Sequence, residues 1–240
     1  MTEYEQRALA DAEHWKITLL KRPSAFQRNA KQLQNKLNKK VPESIHKIIT
    51  ESIKKMVETT IIGSTITTKK DYNRHLSFEE REAEIKATIS KYRKTAAVEG
   101  AGTGAGGLLL GAADFPLFLS IKMKCLFDIA TIYGFDVRKQ DERLFILYIF
   151  HLAFCSEEKR TEVFALIQEW NQSSQHNLDW KSFQQEYRDY IDVIKMLQLM
   201  PGFGAFVGAF ANYHLLDHVT QVAMNVYRLR LLSSNEKNLP

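Results

Sequence analysis

The chain has 240 residues, 45% of them hydrophobic and 25% charged, with a formal net charge of +5. That length allows one or two domains of ~100–200 residues, and the ordinary globular composition excludes disordered, collagen-like and disulfide-scaffold classes. Two features are uneven. Residues 1–99 carry 20 Lys/Arg against 13 Asp/Glu, whereas residues 100–240 carry 13 against 15. Nine of the eleven glycines fall in two windows, Gly100, Gly102, Gly104, Gly106, Gly107 and Gly111 in one and Gly202, Gly204 and Gly208 in the other.

Apolar residues recur at three- and four-residue spacing and no stretch shows strict alternation, which predicts helices throughout. A first helix covers 2–22 and stops before Pro23. A basic second helix covers about 24–39. Pro42 then suits a helix first turn, and Ile45, Ile48, Ile49, Ile53, Met56 and Val57 form one apolar stripe opposite Lys47, Lys54 and Lys55. The β-branched stretch 61–70 is a helix end or a connector. Ser77 and Glu80 make a capping box for a helix running to about Val98. Phe115 to Tyr133 is helical, and Gly134 fits a left-handed cap at its end. A very apolar helix follows over 139–154, then one over 156–170 that opens on a serine with an acid three residues on. The polar run 171–177 is a loop. Asp179 caps a helix to about Met200, Pro201 and Gly202 break it, and a last helix covers 204–232 before a loose tail. The expected fold class is all-α, a multi-helix bundle in a single domain over 1–240. A basic N-terminal helical arm (1–75) precedes a helical core (76–232) and a tail (233–240).

The N-terminal charge is concentrated in 16–55, where eleven basic residues, among them Lys31, Lys36, Lys39 and Lys40, face only Glu43 and Glu51. Such a block attracts anionic lipid or is simply a solvated helix face. Nucleic acid is not expected, because Phe26 is the only ring in residues 23–55 and single-strand binders need aromatic interleaving. Cys125 and Cys155 lie in apolar helical stretches without ligand-spaced partners, which fits a reducing, cytoplasmic setting. The N-terminus carries acids where a secretory signal has a basic head, so no export signal is expected.

Window one spans 100–121 with Asp114 as its only charge, and window two spans 196–216 with none when His214 is neutral. Each reaches the ~20 residues that cross a bilayer as a helix. Glycines four apart, Gly102/Gly106, Gly107/Gly111 and Gly204/Gly208, let helix backbones approach closely, and together with Gly104 they are the candidate packing or membrane-docking positions. Two readings stand: buried hairpins of a soluble bundle, or docking into a membrane beside the basic arm. Gly102, Gly104 and Gly107 match G-x-G-x-x-G, but a charged, capped helix precedes them instead of a strand, and no G-K-[ST] follows, so a nucleotide cofactor is not expected.

The remaining polar candidates are Asp114, Asn212 and His214, the polar groups at both glycine windows. Asp114 also suits the cap of the helix that Pro116 begins. His214 and His218 stand four apart, as a metal pair would, but no glutamate follows His214 as the HExxH pattern requires, and no metal is expected. His151, inside an apolar run, reads as a hydrogen-bonded core residue. The cysteines lack an identifiable base, so no nucleophilic enzyme is expected.

The arrangement resembles the EcsC family, bacterial proteins named for an operon that encodes an ABC transporter. The resemblance is carried by the Gly-rich Ala96–Gly111, by Asp114-Phe115-Pro116, by Tyr133-Gly134-Phe135-Asp136, and by Met200-Pro201-Gly202-Phe203-Gly204-Ala205-Phe206-Val207-Gly208-Ala209 with Asn212-Tyr213 after it. It implies a transporter context without a mechanism, the family having no established activity. The expectation is a non-enzymatic accessory protein, peripheral or partly inserted at the cytoplasmic face of the cell membrane. Its partners would be ABC transporter subunits and anionic lipid, through Lys31, Lys36, Lys39 and Lys40. The alternative is a membrane-associated enzyme with a site around Asp114, Asn212 and His214. Oligomeric state is not legible.

Overall fold

A computed structural model describes residues 1–21, 43–62, 75–104, 115–170 and 204–236. Seven helices make up the described chain, which contains no strand, so the fold is all-α. They are α1 (Glu3–Leu20), α2 (Glu43–Ile62), α3 (Phe78–Gly104), α4 (Phe115–Tyr133), α5 (Gln140–Phe154), α6 (Glu157–Gln168) and α7 (Gly204–Glu236). The helices expected over 24–39 and 179–200 lie outside the described residues.

The helix starts are chemical. Thr2 and Glu5 form a reciprocal capping box at α1, and at α3 the Glu80 amide donates to Ser77 Oγ (3.3 Å) while Ser77 N donates to Glu80 Oε2 (2.8 Å). Ser156 occupies the N-cap position of α6 but its side chain makes no capping hydrogen bond. α4 ends as the sequence indicates. Gly134 takes φ 101°, its N–H reaches Thr131 O (2.9 Å) and the Phe135 N–H reaches Ala130 O (3.0 Å), the double bond of a Schellman cap.

Beyond its polar first turn α5 is apolar on every side except for His151, and Leu144 through Phe154 are buried without a gap. It forms the centre of the core with α4. α2 lies over both, placing Ile53, Met56 and Val57 in the core, and Arg143 of α5 ties down its end by donating from Nε and Nη2 to Ile61 O (3.0 and 2.8 Å). α6 packs on α5, and α1 crosses α7 with Ala8, Leu9 and Ala12 buried. The described parts of the N-terminal arm are therefore packed on the bundle.

The longest interface joins α3 and α7. The pair is antiparallel in fixed register: Glu82 meets Arg228, and eleven residues on Arg93 meets Asp217, eleven residues back. α3 continues six residues beyond the expected end at Val98, through Gly100, Gly102 and Gly104. Glycine weakens an isolated helix by ~0.5–1 kcal/mol per position, yet the helix runs through all three. Glu82, Ile85, Ile89 and Ala96 form the buried stripe of α3, and the same steps lead to Gly100 and Gly104. On α7 the stripe Val219, Leu216, Asn212 leads back to Gly208 and Gly204. Gly102 lies about 200° around α3 from Gly104.

Neither glycine window is one continuous described helix. The first is divided between the end of α3 and the start of α4, and described residues of the second begin with α7. No described helix is long and apolar enough to cross a membrane. Gly106, Gly107, Gly111 and Asp114 fall outside the described residues, as do Lys31, Lys36, Lys39 and Lys40.

Candidate functional site: a locked polar core and an apolar end

The α3/α7 register places a charged residue of each helix inside the bundle. Glu82 is fully buried, and Arg228 grips it with both nitrogens, Nε to Oε1 and Nη2 to Oε2, each at 2.6 Å. The Tyr133 hydroxyl donates to Oε1 (2.8 Å) and the Tyr4 hydroxyl to Oε2 (2.7 Å). Four donors fill the roughly four lone-pair sites of a carboxylate. Burial alone pushes this carboxyl up; the Arg228 guanidinium and the two phenols outweigh it and hold the group below the usual carboxylate value. Burial and the bond to Glu82 raise the Tyr4 hydroxyl to about 12.

A second such unit lies beside the first. Glu142 of α5 accepts from the Tyr227 hydroxyl (2.7 Å) and from Arg230 Nη1 (2.8 and 3.1 Å). The Arg230 guanidinium lies 4.2 Å from the Phe135 ring centre and 4.0 Å from that of Phe145. Here burial prevails over Arg230 and Tyr227, and the carboxyl is raised. The units touch through Tyr133 and Tyr227, whose ring centres are 5.4 Å apart.

Tyr133-Gly134-Phe135-Asp136 is the hinge of this assembly. Tyr133 binds Glu82, Gly134 turns the chain, Phe135 covers Arg230, and Asp136 pairs with Arg138 through two bonds of 2.7 and 2.8 Å. Arg81 donates from Nη1 to Tyr133 O (3.1 Å), sealing the corner. With both Glu82 oxygens saturated, the arrangement is a five-helix lock, joining α1, α3, α4, α5 and α7.

The expected polar candidates do not share a face where the structure describes them. Asn212 is buried and His214 exposed, two positions apart on α7 and so about 200° around it. The His214 ring lies 4.1 Å from that of Phe210 and 5.5 Å from that of Tyr213. His218, one turn on, is partly buried with Nε2 2.8 Å from Ala153 O. His151 is buried, as its apolar setting implies. The described residues hold no group of three metal-ligating side chains.

Three helix ends meet opposite the lock. α3 is antiparallel to α7, and α4 is parallel to it, since Tyr133 stands level with Tyr227 while Lys122 and His218 both pack on Phe154 (4.6 and 6.0 Å). The end of α3 and the starts of α4 and α7 are therefore neighbours. Around them large apolar side chains are exposed: Val98 (74%), Phe210 (58%), Leu117 (53%) and Tyr213 (37%). Lys94 and Lys91, both exposed, follow Val98 on its own face, one and two turns back. Sequence reasoning missed the lock, although an acid on the Ile85/Ile89 face of α3 and two arginines inside the apolar run of α7 signalled buried ion pairs.

An all-α bundle pinned by two buried carboxylate–arginine–tyrosine units, with large apolar side chains exposed near one end, defines a helical scaffold. The chain matches the model of the EcsC protein family over residues 6–232, and it belongs to that family. It is 50% identical to Protein EcsC of Bacillus subtilis (strain 168) over 227 residues, covering 95% of this chain and 96% of that one. It is also 32% identical to the uncharacterized protein YdbA of the same organism over 154 residues, covering 61% and 57%. No solved structure matches it.

Proposed function

We propose that the protein is a non-enzymatic accessory that docks reversibly on the anionic cytoplasmic face of the cell membrane. The docking surface is the end where α3 finishes and α4 and α7 begin. The observation that carries this reading is the exposure of Val98, Leu117, Phe210 and Tyr213 at that end, with Lys94 and Lys91 behind them. At 1.5 Å per residue, Lys94 and Lys91 lie about 6 and 10 Å behind Val98, which matches the ~5–10 Å to which interfacial helices sink their apolar face. Each lysine contributes about 1 kcal/mol against an anionic surface, and the half-exposed apolar residues add a few kcal/mol at ~25 cal/mol per Å². That supports peripheral, salt-sensitive attachment. Docking beside an ABC transporter is the context that the family resemblance implies, and the basic stretch containing Lys31, Lys36, Lys39 and Lys40 adds charge of the right sign.

Flotation with vesicles of phosphatidylglycerol and phosphatidylcholine tests the reading. The protein should float at 50 mM salt, leave the vesicles at 0.5 M, and lose most of its binding in Phe210→Ser with Lys91→Glu and Lys94→Glu. Failure of the unaltered protein to float on vesicles rich in phosphatidylglycerol would refute it.

A further inference from the structure

Phe210 and His214 repeat on α7 the arrangement that Val98 and Lys94 make on α3. α3 finishes and α7 starts at the exposed apolar end. In each helix a large exposed apolar side chain is followed, four residues further from that end, by an exposed basic one. Four residues place the basic group about 6 Å back on the same face. The His214 ring lies 4.1 Å from the Phe210 ring and 5.5 Å from that of Tyr213, so a neutral His214 continues the apolar surface. With Phe210 sunk ~5–10 Å into the interface, His214 stands at the level of the headgroups. The two basic positions differ in one respect: lysine keeps its charge at neutral pH, whereas histidine is the side chain whose charge changes between pH 5 and 8.

The charges around His214 do not offset that change. Asp217, the nearest acid along α7, is engaged by Arg93 of α3 and by the Gln221 amide (2.9 Å). Arg93 also lies over the Tyr213 ring, 5.5 Å from its centre. From α4 and α6, Lys122 and Arg160 act on His218, whose pKa is lowered by burial and further by these two charges. The lysines and arginines stay charged throughout this range. Among the described residues at this end, His214 is therefore the group placed to gain a charge on mild acidification.

We infer that His214 makes docking proton-dependent: on protonation it adds a cation at headgroup depth, and attachment to an anionic membrane strengthens as pH falls. The inference rests on the docking reading and names its regulation. One added charge near an anionic surface contributes ~1 kcal/mol, about fivefold in partition. A zwitterionic surface gives no such gain.

Partition onto vesicles of phosphatidylglycerol and phosphatidylcholine at 50 mM salt, measured at pH 8 and pH 5.5, tests it. Partition of the unaltered protein should rise about fivefold on acidification, and the rise should be absent on phosphatidylcholine alone. His214→Gln should reduce the rise to under about twofold. His214→Lys should bind about equally at the two pH values and, at pH 8, about fivefold more tightly than the unaltered protein. Thermal melts at both pH values identify any variant that fails to fold, and the other then decides. Binding of the unaltered protein that ignores pH, or an undiminished rise in folded His214→Gln, would overturn this inference and leave docking intact. Failure of the unaltered protein to bind at either pH would overturn both.

Discussion

Replacing Arg228 by methionine tests the lock at its most exposed consequence. The substitution keeps much of the side-chain volume and removes two charge-assisted bonds of 2.6 Å from a carboxylate with no solvent exposure. Glu82 is left with the Tyr4 and Tyr133 hydroxyls, which cannot neutralise it. Removing one partner of a buried pair costs ~3–5 kcal/mol, and each kcal/mol shifts Tm by ~2–4 °C at this chain length, so Tm should fall by roughly 6–20 °C. Adding Glu82→Gln removes the stranded charge, and the double variant should be less destabilised than the sum of the single changes by roughly 1–3 kcal/mol. The pH dependence supplies a second readout. In the native protein the Glu82 carboxyl is held below its unfolded value, so its contribution is present above pH ~4.3 and is lost as pH falls through the folded value. Without Arg228, burial acts unopposed by a cation and raises the carboxyl. The variant should then recover stability relative to the unaltered protein as pH falls from 7 toward 5. Calorimetric melts at pH 5, 6 and 7 measure both effects. A Tm loss under about 2 °C, or a deficit that does not shrink on acidification, would refute the assignment of Arg228 as the counter-ion.

Two further outcomes follow from the same geometry. Gly134→Ala should cost ~1–2 kcal/mol, since φ 101° is strained for any L side chain and the new Cβ would meet Arg81 Nη1 at 3.4 Å. An unchanged denaturation midpoint would exclude a strained cap. Burial lowers the His218 pKa, and although the bond to Ala153 O opposes this, the charges of Arg160 and Lys122 add to the lowering. Its stabilising contribution is complete above pH ~6.5 and is lost as pH falls through the folded value, so His218→Gln should flatten the stability profile between pH 7 and 5. Parallel profiles for the two proteins would disprove it.

The local grammar of the chain was legible where a single helix decides the outcome. Ser77 with Glu80, Gly134 after Tyr133, and the uninterrupted apolar run of α5 each specify their structure through neighbours a few residues away. The end of α3 was not legible, because whether Gly100 and Gly104 stay helical depends on a helix more than a hundred residues later. For the same reason the lock escaped: Glu82 and Arg228 are separated by 146 residues, and no periodicity relates an acid on one stripe to a base on another. Of the candidate polar set, chosen as the polar groups at the two glycine windows, Asn212 and His214 are close in sequence, yet the helix turns them to opposite sides; Asp114 lies outside the described residues. The apolar end lay partly in view, since both glycine windows lead to it, but only the antiparallel register shows that they meet.

The position of α7 also bears on how the protein is made. This last helix packs against α1, α3, α4 and α5, and it supplies Tyr227, Arg228 and Arg230 to both buried carboxylates. At ~5–20 residues per second the preceding 203 residues take roughly 10–40 s to synthesise. During that interval Glu82 and Glu142 have no arginine, and the faces of α3, α4 and α5 that α7 will cover stay open to solvent. The native core therefore closes only once α7 has been made, and removing α7 would leave a chain that chaperones hold and proteases remove.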